Sequence, residues 1–188
     1  LTLESQPEPK QMIACTRSFG SPVSELDPLI EAVSDFASRA AQKLRLQGSV
    51  AAQIQVFAHT SRFRPPPHFH RSIVVPLIRP TSDTGLIVAS AVHGIKRIYR
   101  EGFELKKAGV ILMDLNDKAD LQHELDLGDE ICDRGSLFAA VDKLNQRYGR
   151  GTVHIGSTGL QTNRAPWQQR QDQRSPRYST VLAEIPEV

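Results

Sequence analysis

The chain has 188 residues, of which 39% are hydrophobic, enough for one ordinary core with an appendage but marginal for two full domains. No apolar run approaches the roughly eighteen residues a membrane span needs, and no charged-then-apolar leader opens the chain, so a cytosolic protein with no membrane partner is expected. Cys15 and Cys132 lie far apart and form no Cys-x-x-Cys pair, which argues against a disulfide framework or a thiolate metal site. The leucine at position 1 suggests a piece of a longer polypeptide whose other part carries the chemistry.

The formal charge of +2 hides a segregation. Residues 1–9 carry two acids and no base, and residues 10–107 carry fourteen bases against seven acids. Residues 108–142 reverse the balance, with nine acids against Lys118 and Arg134, and residues 143–188 carry seven bases against three acids. A basic block suits a phosphate-bearing partner and an acidic hinge avoids one, although solvated surface charge produces similar runs.

Residues 11–17 alternate with a period of two, Met12, Ala14 and Thr16 on one face and Ile13, Cys15 and Arg17 on the other, which predicts a strand breaking at Phe19-Gly20. Asp27 before Pro28 is a helix start, because Asp caps free amides and proline tolerates the first helical position. Leu29, Val33, Phe36, Ala40 and Leu44 then recur at helical spacing until Gly48, with Arg39, Lys43 and Arg45 on the outer face. Alternation resumes over residues 50–59 through Ile54, Val56 and Ala58 as a second strand. Pro65-Pro66-Pro67 forces a loop, since consecutive prolines supply no amide donors, and residues 73–78 form a third strand. Asp83 caps a second helix with the stripe Ile87, Ala91, Ile95 and Ile98, ending near Gly102, and residues 104–115 give a fourth strand. Beyond lie an acidic linker, a helix over 136–147, a short strand over 151–155 and a polar tail rich in Gln and Arg.

The order β-α-β-β-α-β predicts an α+β fold of the split βαβ kind: a four-stranded antiparallel-type sheet with two helices on one face and the other face free. Residues 11–115 form the domain, 116–134 an acidic linker, and 135–188 a smaller, partly flexible tail. A free sheet face in a basic block suits a nucleic-acid backbone, because cations and strand amides reach successive phosphates without reading bases. The same plan also serves small-molecule and protein binding, so the fold by itself does not decide.

Several short segments resemble one family in matching order. Ile13-Ala-Cys-Thr-Arg-Ser-Phe-Gly20 resembles the first little-finger strand of Y-family DNA polymerases of the UmuC, MucB and RumB group. Lys107-Ala-Gly-Val110 resembles the last strand of that domain, and residues 1–10 resemble the linker from the thumb. Leu144-Asn-Gln-Arg-Tyr-Gly-Arg-Gly-Thr152 and Ser175-Pro-Arg-Tyr-Ser-Thr180 resemble segments of UmuC-like tails.

This resemblance implies a DNA-holding and partner-binding piece of an error-prone, SOS-type translesion polymerase in the bacterial cytoplasm, at the nucleoid. The carboxylates that hold two magnesium ions would lie upstream of Leu1, so the fragment is expected to have no catalytic residue and no cofactor. The resemblance implies DNA contacts at Arg17, Ser18, Thr60, Ser61, Arg62, Arg64, Lys106 and Lys107. It places a sliding-clamp peptide at Gln122, Leu125 and Leu127, where Leu127 departs from the family's usual Phe. Primer-template DNA, the sliding clamp, a UmuD′-like dimer and a RecA filament are the implied partners.

Other chemistries find little footing. The carboxylates of residues 114–133 read as a solvated linker, since no strand presents them rigidly as two-metal catalysis requires. His68-Phe-His70 could supply two metal ligands, yet zinc wants two more, so no metal is expected. No nucleophile elbow or phosphate-cradling Gly-Lys loop occurs. An RNA-binding or protein-interaction module of the same ferredoxin-like plan remains as rival, but RNA binders stack bases on strand aromatics and residues 73–78 contain none. An autonomous enzyme using His68 and His70 is a third reading, and it would require stoichiometric metal.

Overall fold

The period-two segments become a four-stranded sheet in the computed structural model, which describes residues 10–120 and 134–159 together with Trp167, Gln168, Ser175 and Val181. The elements are β1 (Ile13–Val23), α1 (Leu26–Gln47), β2 (Ser49–Thr60), β3 (His70–Thr81), α2 (Thr84–Ile98), β4 (Leu105–Asp117) and α3 (Gly135–Tyr148). Every strand pairing is antiparallel, in the order β1-β4-β2-β3. β1 and β2 therefore run parallel with β4 between them, and β3 and β4 run parallel with β2 between them. Each of α1 and α2 links one such split pair, as the sequence predicts.

Both helical stripes face the sheet. Leu29, Val33, Phe36, Ala40 and Leu44 of α1 and Ile87, Ala91, Ile95 and Ile98 of α2 are buried against Ile13, Cys15, Ile54, Val56, Val110 and Leu112. Gly48 ends α1 with φ +76°, a left-handed conformation that glycine adopts without strain, and its N–H donates to Arg45 O. Asp83 caps α2, its Oδ1 accepting from Leu86 N at 3.1 Å.

Three local expectations fail. β1 does not break at Phe19-Gly20 but runs on to Val23 through a register irregularity between Ser18 and Val23. Burying Phe19 and Val23 in the core favours a bend over a stop. The residue before α1 is Glu25, with no side-chain cap, and Asp27 lies in the first turn where it meets the helix dipole instead. The strand expected over 151–155 is absent. The Asn145 side chain stands in for a strand partner, its Oδ1 accepting from Val153 N at 2.9 Å and its Nδ2 donating to Val153 O at 2.8 Å.

The described part of the C-terminal region packs onto α1. Trp167 is buried edge-on against Phe36, with ring centroids 6.0 Å apart and planes at 87°. Gly20 N donates to Gln168 O at 3.2 Å, and Thr158 in the 3-10 turn Gly156–Thr158 is buried. The whole run 32–37 of α1 is consequently buried, where a helix covered on one side would bury only its stripe. α3 is held differently, by charge. Arg45 forks onto Asp142, Arg134 forks onto Asp83, and both guanidinium groups lie over the Phe138 ring, at 5.5 and 5.9 Å from its centre.

Asp35 sits under this layer, beside a cavity of about 360 Å³. It is 9% exposed. Burial pushes its carboxyl up to about 6 from 3.8, with Arg150 and Arg17 pulling it back only in part. Arg39 Nη2 lies 2.7 Å from Asp35 Oδ2, but the approach lacks hydrogen-bond geometry, and Asp35 Oδ2 and Arg39 Nε are buried with no hydrogen-bond partner among the described residues. A raised folded-state value means that the native state binds the proton more tightly than the unfolded chain does. The group's stabilising contribution is thus full below about pH 4 and lost as pH rises through about 6, on the order of 2 to 3 kcal/mol in all. Asp35→Asn should flatten the decline in unfolding free energy over that window, measured by urea denaturation at several pH values. An unchanged slope would show that Asp35 is ionised at no cost in the native state.

Candidate nucleic-acid interface

Strand register builds the open face row by row. Ser18, Lys107, His59 and His70 form one row across all four strands. Thr16, Gly109, Phe57 and Ser72 form the next, and Ala14, Ile111, Gln55 and Val74 a third. The intervening rows, Arg17-Ala108-Ala58-Arg71 and Cys15-Val110-Val56-Ile73, belong to the helix-covered side, because successive side chains on a strand point to opposite faces.

Pleat parity divides the predicted contact residues. Ser18 and Lys107 come together at one end of the open face. Arg17 lies on the other side and lines the cavity beside Asp35. Lys106 sits at the register irregularity between Leu105 and Lys107, and its Nζ is occupied in donating to the Phe19 and Gly20 carbonyls across the β1 bend. Thr60 is buried, and its Oγ1 accepts from Phe69 N at 3.0 Å while its own N donates to Phe69 O at 2.9 Å. These two bonds close the β2–β3 loop at its base. Ser61 works within that loop, its Oγ accepting from Phe63 N at 3.3 Å.

Arg62 is exposed in the same loop, and Arg64 is ion-paired with Glu104, both partners largely solvated. Such a pair contributes little to stability. It leaves the Arg64 guanidinium close to the surface that Lys107 occupies, but partly neutralised. Four predicted residues therefore border one end of the open face with a free or exposed polar group: Ser18, Lys107, Arg62 and Arg64. Gln122, Leu125 and Leu127 lie outside the described residues.

The sequence reading passed over the aromatic rings of this face. Phe57 and His59 stack with centroids 6.2 Å apart and planes at 12°, and His59 lies 5.9 Å from His70. His59 Nδ1 is 2.9 Å from the Thr60 carbonyl oxygen, an acceptor, so that nitrogen carries a hydrogen. Phe63, at the loop tip between Arg62 and Arg64, is 100% exposed. Continuing the period-two count from Ile54 would have placed Phe57 and His59 on the open face. Among the described residues no group of three or more His, Cys, Asp or Glu is placed to hold a metal ion, and no helix is long and apolar enough to cross a membrane.

Gly109 lies under the Phe57 ring, at the centre of this surface. A Cβ there would stand 2.4 Å from Thr16 Cγ2 and 2.8 Å from Phe57 Cε1. Gly109→Ala should therefore displace both neighbours and cost roughly 1 to 3 kcal/mol, read by urea denaturation. A neutral result would mean that Thr16 and Phe57 swing aside freely.

A model described as the impB/mucB/samB family C-terminal domain matches residues 10–127, and one described as a domain of unknown function (DUF4113) matches residues 136–188. The chain is 34% identical over 189 residues to Protein UmuC of Salmonella typhimurium strain LT2, covering 98% of this chain and 44% of that protein. It is 36% identical over 191 residues to Protein ImpB of Salmonella typhimurium, covering 99% and 43%. The chain thus spans less than half the length of these relatives. A solved chain from a complex of the beta-clamp processivity factor and the little finger domain of PolIV aligns with 63% of this chain and 99% of its own length, at 13% identity and a TM-score of 0.40. The first family match takes in the whole sheet with α1 and α2, and similarity to UmuC and ImpB over nearly all of this chain agrees with the motifs read from the sequence, so the chain belongs to the impB/mucB/samB family, as its C-terminal domain with the segment that follows.

Proposed function

We propose that this chain is the DNA-holding and partner-binding part of a UmuC-type error-prone translesion polymerase, and that catalysis and its magnesium belong to the remainder of the parent protein. The observation that carries this reading is the row Ser18-Lys107-His59-His70 on the sheet face that α1 and α2 leave open, bordered by the loop that presents Arg62 and Arg64. Cations and hydroxyls spaced along one edge of a flat sheet grip successive phosphates and leave the bases unread. Arg17, on the helix-covered side, and Lys106, bonded to the Phe19 and Gly20 carbonyls, drop out of the proposed contact set. Gln122, Leu125 and Leu127 remain the proposed sliding-clamp peptide, with the glutamine bonding at a pocket rim and the leucines entering an apolar cleft. A UmuD′-like dimer and a RecA filament are further proposed partners.

Salt dependence tests the DNA reading. Arg62→Ala combined with Lys107→Ala should weaken primer-template binding and lower the slope of log affinity against log salt by roughly 0.9 for each phosphate no longer neutralised. Arg17→Ala should leave that slope unchanged. An equal effect from Arg17→Ala, or none from the double variant, would move the DNA off this face.

A second reading, single-stranded nucleic acid stacked on Phe57, His59 and His70, is favoured by the ring geometry of the open face. The two readings separate in one titration: the backbone grip prefers duplex, whereas stacking prefers the single strand and is abolished in Phe57→Ala.

A further inference from the structure

Behind β1 a cleft of about 790 Å³ opens between this strand, α1 and α3. Ala14, Cys15, Thr16 and Arg17 line one wall of it. Consecutive strand residues point to opposite faces, so four in a row border a single cavity only along the backbone edge of the strand. β1 is an edge strand of the sheet, and its backbone already meets a carbonyl from outside the sheet at one point, where Gly20 N donates to Gln168 O at 3.2 Å.

The rest of the lining is largely cationic. Lys43 of α1, Lys143 of α3 and Arg150 line the cleft with Arg17, together with Arg39, which is paired with Asp35. Arg45 also lines it but is held by Asp142, the one carboxylate among the described lining residues. The positive charge comes from both matched segments, since Arg17 and Lys43 precede the linker and Lys143 and Arg150 follow it. The cleft therefore exists as a charged surface once α3 is docked.

We propose that the edge of β1 takes an extended acidic peptide of another protein as a fifth strand along residues 14–17, with alternate carboxylates facing Arg17, Lys43, Lys143 and Arg150. A peptide backbone offers the alternating donors and acceptors that a strand edge requires, whereas a phosphodiester offers acceptors alone. The charge selects an acidic sequence over a basic one, and the two-residue period of the strand sets which of its side chains reach the cleft.

The test uses the full chain and a fluorescent synthetic peptide of alternating threonine and glutamate, read by anisotropy and by amide hydrogen exchange. The peptide should bind and slow exchange at residues 14–17, while the threonine-lysine counterpart should not bind. N-methylation of alternate peptide amides, which removes edge donors without touching the protein, should weaken binding roughly tenfold or more. Lys143→Glu with Arg150→Glu, both exposed positions, should weaken it to a similar extent. Binding that survives N-methylation overturns the strand-addition geometry, and binding that survives charge reversal overturns the acidic specificity. Slowed exchange along β3 instead places the partner on the other edge. Equal displacement by a DNA oligonucleotide would make the cleft a phosphate site and overturn the proposal as well.

Discussion

Arg45→Ala is expected to destabilise the protein by about 2 to 4 kcal/mol and to release α3 from the α1–α2 junction. Arg45 is 12% exposed at its side chain. Its Nε and Nη2 donate to the two Asp142 oxygens at 2.7 and 3.0 Å, and Nη1 donates at 2.7 Å both to Ser82 O and to Thr84 Oγ1. Removing the guanidinium leaves a partly buried carboxylate and a buried hydroxyl without their donor, and the loss of one partner of a buried pair costs more than the pair contributes. Asp142→Ala should cost less, because Arg45 keeps its bonds to Ser82 and Thr84. The double variant should show a coupling of roughly 1 to 3 kcal/mol. Urea denaturation of the four proteins measures this, and additive effects would show that the fork holds nothing.

Trp167→Ala is expected to cost about 3 to 5 kcal/mol, the range for emptying a well-packed aromatic site. The indole is 6% exposed, meets Phe36 edge-on, and places Nε1 3.5 Å from Glu31 Oε2. Its removal uncovers Phe36 and the outer side of α1. Trp167→Phe should restore part of the loss, since a smaller ring still fills most of the space. Thermal unfolding followed by circular dichroism provides the comparison. A cost below about 1 kcal/mol would mean that the C-terminal segment merely rests on α1.

These two variants probe what the sequence reading did not anticipate. Period and punctuation determined the elements: the stripes of α1 and α2, the alternation of β2, the stop at Gly48 and the cap at Asp83 are all local, set by backbone geometry within a few residues. Their order also implied the split pairing and the free face. Charge counting marked the basic block, and short motifs marked the family.

Tertiary structure decided which face each residue serves. Arg17 and Ser18 are adjacent in one strand, so they point to opposite sides; but which side is covered depends on where α1 and α2 pack. That packing sent Arg17 to the cleft and left Ser18 and Lys107 beside His59 and His70, while Lys106, at the register irregularity between Leu105 and Lys107, reaches the β1 carbonyls. The docking of the C-terminal region was equally illegible, because α3 is held by polar forks to residues 97 and 51 positions away and one tryptophan anchors the rest. Local patterns record the burial that each element makes with its own stripe, whereas an isolated ion pair or a single aromatic anchor leaves no period in the sequence and is fixed only when distant segments meet.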